Sequence, residues 1–132
     1  MKIGIDIDNV LSNFNEILLN DYLEHDKVLN NSGIIHKDEY IRKMFDWDVS
    51  YEQEYYKNNI ERLASFFTPI EDSSKYINKL KNTGNEIYII SGRDNGEYSD
   101  PHNMTINWLK KYNIPYDRLI LTNAYKHQEK AD

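Results

Sequence analysis

The first eleven residues constrain the fold of this chain more than any other segment. The run from Lys2 to Ile7 is short and mostly apolar, and it carries Asp6 and is followed by Asp8. On an extended backbone, residues two apart point to the same side, so these carboxylates face one point at the end of a predicted strand. Two such charges repel unless a cation lies between them or one carboxyl takes a proton. The pair therefore favours Mg²⁺ binding or nucleophilic and acid/base chemistry, although an Asp-x-Asp alone is equally typical of an acidic loop.

Length and composition exclude several classes of protein. The chain has 132 residues, which suits one domain with its own core, and it has no Cys for disulfide or thiolate chemistry. No apolar run approaches the ~20 residues of a membrane span, and the N-terminus does not resemble a signal peptide, so we expect a soluble cytoplasmic protein. The net charge of −6 argues against a nucleic-acid groove, but it is compatible with a small phosphorylated substrate.

Apolar periodicity predicts alternating strands and helices. Strands are predicted at residues 2–8, 86–91 and 118–122, and helices at 14–24, 37–48, 50–66, 72–83 and 102–112. Strands that alternate with helices are typical of parallel βαβ units, so we expect an α/β fold with a parallel sheet in the order 3-2-1.

The interval between the first two predicted strands is too long for one crossover helix. We therefore expect a small helical cap over residues 12–68, inserted after strand 1 of a core formed by residues 1–11 and 69–132.

Polar residues follow all three predicted strands, and parallel sheets bind ligands at the carboxyl ends of their strands. Beside Asp6 and Asp8, the second strand ends in Ser91-Gly92-Arg93, and Thr122 with a Lys-containing stretch follows the third. One carboxylate can attack phosphorus, and a second can protonate the leaving oxygen and then activate water. A Ser hydroxyl beside a Gly N–H can hold phosphoryl oxygens.

This arrangement resembles the haloacid-dehalogenase-like phosphatase superfamily. The superfamily's first motif, a strand and then Asp-x-Asp-x-(Thr/Val)-(Leu/Val), matches residues 6–11, and its second, a strand ending in Ser or Thr, matches Ser91. The resemblance implies a Rossmann-like sheet, with Asp6 as the nucleophile, Asp8 as the acid/base and Ser91 binding phosphoryl oxygens. It also implies Mg²⁺ held by the Asp6 carboxylate and the Asp8 backbone carbonyl.

The opening up to Phe14 is similar to the 5′(3′)-deoxyribonucleotidases and related bacterial nucleotidases, in which an aromatic residue at this position stacks on the nucleobase. A core role is the alternative for Phe14. Asn9 stands where this family usually has Gly. The third motif, a Lys near a helix start, is assigned to Lys130, with Lys126 as the second choice and a solvated surface charge as the alternative. Arg93 either contacts the substrate phosphate or pairs with a cap carboxylate.

The superfamily's fourth motif, an acidic pair after a further strand that completes the Mg²⁺ site, has no match up to residue 132. We therefore expect a chain of this length to be weakly active or inactive, and strand 1 to be a sheet edge that a partner or a second copy covers. The leading hypothesis is a Mg²⁺-dependent phosphomonoesterase acting on nucleotides. The alternatives are a receiver-like signalling domain, which has one helix between its first two strands, and an inactive phosphate-binding domain.

Overall fold

The computed structural model describes residues 1–94 and 96–122. The chain divides into two compact units. An α/β unit contains Met1–Asn13 and the described residues from Thr68 onward, and a helical unit contains Phe14–Phe67. In these described ranges, no helix combines the length and the apolar character needed to cross a membrane.

The elements of the described chain alternate between strands and helices. In chain order they are β1 (Lys2–Ile5), α1 (Phe14–Leu29), a 3-10 turn (Ile41–Lys43), α2 (Val49–Ala64), α3 (Ser73–Asn82), β2 (Glu86–Ser91), α4 (Pro101–Lys111) and β3 (Arg118–Leu121). The strands pair in parallel in the order β1-β2-β3, with Ile5 opposite Ile89 and Ser91 opposite Leu121. The predicted α/β class and strand order are confirmed.

The core of the α/β unit lies on one face of this sheet. Ile87 and Ile89 of β2 are fully buried, and they form a cluster with Ile77 of α3 and Leu109 of α4. The alternate residues of β2 point to the other face, where Ile90 is 39% exposed. Helices α3 and α4 therefore cover the face that carries the core.

Asp117 fixes the register at the amino ends of β2 and β3. Its backbone N–H donates to the Ile87 carbonyl at 2.7 Å, and its carboxylate accepts the Ile87 N–H at 2.6 Å. The Lys81 ammonium lies 2.7 Å from the same carboxylate, and these two donors lower the pKa of Asp117. The contacts close the end of the sheet that lies opposite the strands' carboxyl ends.

The helical unit is organised around buried polar groups among aromatic rings. Glu52 of α2 accepts the Tyr22 hydroxyl at 2.6 Å and pairs with Arg42 at 2.7 Å, and the Arg42 guanidinium lies 3.8 Å from the centroid of the Tyr56 ring. Because the Glu52 carboxylate has these partners, it can be buried inside the unit.

The predicted helix at 37–48 is wrong. The segment forms a loop with the 3-10 turn in it, because the N–H groups of Ile35 and His36 both donate to the Met44 carbonyl and Ile34 bridges Phe45. The apolar spacing that predicted a helix instead reflects separate tertiary contacts. Asp48 then caps α2 by accepting the Tyr51 N–H at 3.1 Å.

Two other boundaries differ from the prediction by three residues or more. Strand β1 ends at Ile5 instead of residue 8, because the Ile7 carbonyl accepts the N–H groups of Val10, Leu11 and Ser12 and so starts a tight turn. Helix α1 continues to Leu29 instead of residue 24.

Strand β1 is an edge of the sheet within the described residues. A groove of about 500 Å³ lies beside it, lined mainly by apolar side chains of β1, of the turn after it, of α3 and of the segment before α3, including Ile3, Ile5, Val10, Ile70 and Tyr76. That a partner or a second copy covers this edge stays a prediction.

The one-sided core gives a stability prediction for neighbouring residues of β2. We expect Ile89→Ala to lower the free energy of unfolding by about 2–5 kcal/mol, since it removes a fully buried side chain. Ile90→Ala should cost about 1 kcal/mol, because much of that side chain is already in water. Urea unfolding followed by circular dichroism measures both, and equal losses would show that the two faces are equally packed.

Candidate active site

The candidate site lies at the carboxyl edge of the sheet, within the α/β unit. Asp6 directly follows Ile5, the last residue of β1, and Ser91 is the last residue of β2. Because Ile5 pairs with Ile89 in a parallel ladder, both polar groups leave the sheet at the same edge. The Thr122 N–H donates to the Ser91 carbonyl at 2.8 Å, so the residue after β3 joins them there.

The turn after β1 holds the two carboxylates. Ile7 is fully buried between them and anchors the turn, while Asp6 is exposed and Asp8 is half-buried. Asn9 adopts the left-handed conformation, with a φ of 69°. Gly and Asn are the residues that adopt this conformation most readily. Asn can therefore replace the Gly expected at this position from the resemblance to the deoxyribonucleotidases.

Asp6 carries its charge in an unfavourable setting. One of its carboxylate oxygens accepts the Ile7 N–H at 2.7 Å. Partial burial, and then the charge of Asp8, raise the pKa of Asp6, and the Ile7 hydrogen bond and the Arg93 charge only partly oppose this rise. The charge of the Asp6 carboxylate is therefore only partly offset by its neighbours in the protein.

Asp8 is held by Arg93 from beyond the carboxyl end of β2. The Arg93 Nη2 lies 2.8 Å from Asp8 Oδ1, and Nε lies 3.3 Å from Oδ2. The Ser12 hydroxyl donates to Oδ1 at 3.2 Å. A two-point contact between guanidinium and carboxylate fixes orientation as well as distance, so the position of Asp8 is set by a residue 85 positions away.

Arg93 is itself enclosed, with its side chain 3% exposed. Its Nη1 donates to the Thr105 hydroxyl of α4 at 3.1 Å, and its guanidinium lies 5.9 Å from the centroid of the Tyr98 ring. Its backbone N–H donates to the Ser91 hydroxyl at 3.4 Å. The guanidinium thus pairs with Asp8 of its own unit, and this pairing competes with the predicted role of Arg93 as a phosphate ligand.

The predicted phosphate-binding segment is open at Gly92 and buried at Ser91. Ser91 is 2% exposed, whereas Gly92 is exposed and a Cβ added to it would meet no atom within 4 Å. The backbone at Gly92 is therefore free to be approached closely by a ligand, as the predicted role requires.

The oxygen atoms of Asp6 and Asp8 are of the type that binds a hard cation. No cluster of three or more His, Cys, Asp or Glu side chains able to hold a metal occurs within residues 1–94 and 96–122. The Asp6 carboxylate and the Asp8 backbone carbonyl are oxygen donors of the kind that Mg²⁺ accepts, and Mg²⁺ commonly keeps several waters beside one or two protein ligands. Burial and then the Asp8 charge raise the pKa of Asp6, and a cation at this carboxylate would favour its ionised form.

The remaining predicted site residues are not part of the described α/β unit. Phe14 begins α1 in the helical unit, where it is half-buried and its ring centroid lies 5.4 Å from that of Phe67. Lys130 and its alternative Lys126 lie outside the described residues. The functional roles of all three stay predictions.

Sequence reasoning missed Ser12 and Thr105, which hold the Asp8–Arg93 pair. A signal for Thr105 was present, because α4 buries Pro101, Thr105 and Leu109 at intervals of four residues. A hydroxyl in the middle of an otherwise apolar stripe indicates a buried polar partner. Ser12 carries no comparable signal.

Comparison with known proteins gives one family. The family model described as 5′ nucleotidase, deoxy (pyrimidine), cytosolic type C protein matches residues 1–132 of the chain. Neither the curated proteins nor the solved structures contain a match to it.

The raised pKa of Asp6 gives a prediction for stability against pH. Folding favours the protonated form of this carboxyl, so its ionised form destabilises the fold once the pH exceeds the ordinary carboxyl pKa of 3.8, and the effect is complete above the folded pKa. We expect Asp6→Asn to melt at a higher temperature than the wild type near pH 7. The difference should vanish below pH 3.8, where Asp6 is protonated in both states.

Thermal unfolding in EDTA between about pH 3 and about pH 8 measures this difference. Asp117→Asn is the control of opposite sign. The pKa of Asp117 is lowered, so its contribution to stability is present at neutral pH and lost as the pH falls through its folded pKa. An Asp6→Asn protein that is no more stable than the wild type at neutral pH would contradict the prediction.

Because Asn9 has a left-handed conformation, we expect Gly to give a more stable protein than Ala at this position, the reverse of their order in a helix. Both substitutions remove the polar side chain, so their difference isolates the backbone. We expect Asn9→Gly to be more stable than Asn9→Ala by about 1 kcal/mol. At Asn107, an exposed position inside α4, Ala should instead be the more stable by about 1 kcal/mol. Urea unfolding of the four variants measures both differences, and the same order at both sites would refute a strained backbone at Asn9.

Proposed function

We propose that this chain hydrolyses the phosphate ester of (deoxy)nucleoside monophosphates. The chain belongs to the family of 5′ nucleotidases, deoxy (pyrimidine), cytosolic type C. The family supports nucleotidase chemistry, and nucleotide substrates are our proposal for this chain. The family description is of a cytosolic protein, which supports a cytoplasmic location.

The observation that carries the proposal is the pair of carboxylates with different surroundings at one edge of a parallel sheet. Asp6 is exposed and has a raised pKa, whereas both oxygens of Asp8 contact Arg93. Two neighbouring carboxyls in different environments are suited to different roles in one reaction. We assign Asp6 as the nucleophile and Asp8 as the acid/base.

In the first half-reaction an Asp6 carboxylate oxygen attacks phosphorus. A bond forms between Asp6 and the phosphoryl group while the ester P–O bond breaks, and the leaving nucleoside oxygen takes a proton from Asp8, which enters this step in its protonated form. The product is an aspartyl phosphate on Asp6 and a free nucleoside.

In the second half-reaction Asp8, now a carboxylate, takes a proton from water as the water oxygen attacks the same phosphorus. The bond between phosphorus and Asp6 breaks, inorganic phosphate leaves and both carboxyl groups return to their starting state. The same residue therefore serves first as acid and then as base.

The roles of the other predicted residues are further parts of the proposal. Ser91 and the Gly92 N–H would hold phosphoryl oxygens, Phe14 would stack on the nucleobase and Lys130 would balance charge on the nucleophile and the phosphoryl group. Mg²⁺, held by the Asp6 carboxylate and the Asp8 carbonyl, would supply positive charge opposite the phosphoryl oxygens.

The receiver-like alternative does not fit the described connection between β1 and β2. That connection contains α1, α2, α3 and a 3-10 turn, whereas a receiver has one helix there. An inactive phosphate-binding domain differs from our proposal only in turnover, so turnover and phosphate binding must be measured separately.

The test measures phosphate release from a panel of nucleoside monophosphates and sugar phosphates with Mg²⁺. We expect weak turnover of deoxynucleoside monophosphates by the 132-residue chain. Relative to that rate, we expect none for Asp6→Asn and a loss of about 10²–10⁴-fold for Asp8→Asn, the usual contribution of general acid/base catalysis. Asp72→Asn, an exposed carboxyl of the same unit, is the matched control and should keep full activity.

A second readout separates an inactive domain from an enzyme. Beryllofluoride mimics a phosphoryl group on a carboxylate, so ¹⁹F NMR should show an adduct in the wild type and none in Asp6→Asn. An adduct without turnover would identify the inactive phosphate-binding domain. Turnover by Asp6→Asn at the wild-type rate would show that Asp6 is not the nucleophile.

A further inference from the structure

We infer that Arg93 is a positioning residue that fixes the acid/base Asp8, and that it does not bind the substrate phosphate. The inference rests on the proposed function, because Asp8 has a role to be positioned for only if the chain is a phosphatase. It assigns the alignment of Asp8 to Arg93 and leaves phosphate binding to the exposed Gly92 backbone, with the Ser91 hydroxyl, 2% exposed, beside it.

The first observation behind this inference is the set of contacts that the Arg93 guanidinium makes. Nε and Nη2 contact the two oxygens of Asp8, and Nη1 donates to the Thr105 hydroxyl. Three of the five guanidinium N–H groups, one on each nitrogen, are therefore used inside the α/β unit, and the side chain that carries the other two is 3% exposed. A phosphate ligand needs N–H groups that face the substrate, whereas these N–H groups face a protein carboxylate and a protein hydroxyl.

The second observation is that Arg93 and its partners are held by several elements of the α/β unit. Arg93 lies two residues after the end of β2, Thr105 lies on α4 and is fully buried, and the Tyr98 ring lies near the guanidinium. Arg93 therefore connects the turn after β1 to the end of β2 and to α4. A catalytic group misplaced by about 1 Å can cost about 10²-fold in rate, so a support of this kind has a direct effect on turnover.

The two oxygens of Asp8 are not held equally. Oδ1 accepts from Nη2 at 2.8 Å and from the Ser12 hydroxyl at 3.2 Å, while Oδ2 has the longer contact with Nε at 3.3 Å. The carboxyl group is thus anchored through Oδ1, and Oδ2 is the oxygen with more capacity left for a reacting partner.

The test compares turnover with phosphate binding in Arg93→Gln, Arg93→Lys and Thr105→Val. If Arg93 positions Asp8, Arg93→Gln should lower kcat by about 10²-fold and leave KM, inhibition by inorganic phosphate and the beryllofluoride adduct on Asp6 unchanged. Arg93→Lys should restore little, because an ammonium cannot make the two-point contact, whereas at a phosphate site a lysine is an effective substitute.

Two further variants guard against misfolding and charge effects. Arg93→Gln leaves a half-buried carboxylate without its cation and lowers stability, so Thr105→Val, which keeps the ion pair and removes only the Nη1 acceptor, is the second test. It should lower kcat about tenfold with the phosphate affinity unchanged, as partners of functional ligands commonly do. Arg118→Gln removes the same charge from an exposed position at the amino end of β3 and should leave the wild-type rate.

Each outcome decides the inference. Loss of the adduct or weaker phosphate inhibition in a folded Arg93→Gln, or rescue by Arg93→Lys, would make Arg93 a phosphate ligand and overturn it. Unchanged kcat in Arg93→Gln and Thr105→Val would overturn it as well. A wild type that gives no turnover, with or without an adduct, would refute the proposed function, and the positioning role would fall with it. In that case non-additive unfolding of Arg93→Gln and Asp8→Asn would still report the ion pair.

Discussion

The parallel pairing of β1 with β2 is the interaction on which the rest of the site depends. The ladder joins segments about eighty residues apart, from Lys2 opposite Glu86 to Ile5 opposite Ile89. Because the strands run in the same direction, the groups at their carboxyl ends emerge at one edge. A shift of the register by one residue would exchange the buried and exposed faces of β2 and would separate Asp8 from Arg93. The contacts of Asp117 at the opposite end of the sheet make such a shift costly.

The ion pair between Asp8 and Arg93 is better explained by geometry than by stability. Removing an arginine and a carboxylate from water carries a desolvation cost that often equals the attraction gained. The Asp8 side chain is 22% exposed and the Arg93 side chain 3%, so the cost falls mainly on the arginine. Thr105, Ser12 and the ring of Tyr98 surround the pair with further contacts. A pair so placed specifies where a carboxylate points, which is the property that a reaction needs from it.

Local patterns predicted much of this structure, and the failures have a common cause. The bounds of β2, and the placement of Asp6 directly after β1, come from short-range apolar runs, which depend only on neighbours in sequence. The segment 37–48 has helical spacing, but the Met44 carbonyl accepts two loop N–H groups, so tertiary contacts override the local pattern. The partner of Arg93 could not be predicted either, because the sequence offered several carboxylates and only the folded chain chooses among them.

The two carboxylates of the first motif differ because their neighbours in space differ. Ile7 is buried between them and turns the chain, so that Asp6 stays at the exposed edge while Asp8 is directed inward to Arg93. The guanidinium therefore contacts only Asp8 directly, and the pKa of Asp6 stays raised by the partial burial of its carboxyl and by the charge of Asp8. Asp6 and Asp8 have the same side chain, but the direct contact with Arg93 gives Asp8 different surroundings from Asp6. Unequal surroundings are what allow one member to attack while the other moves protons.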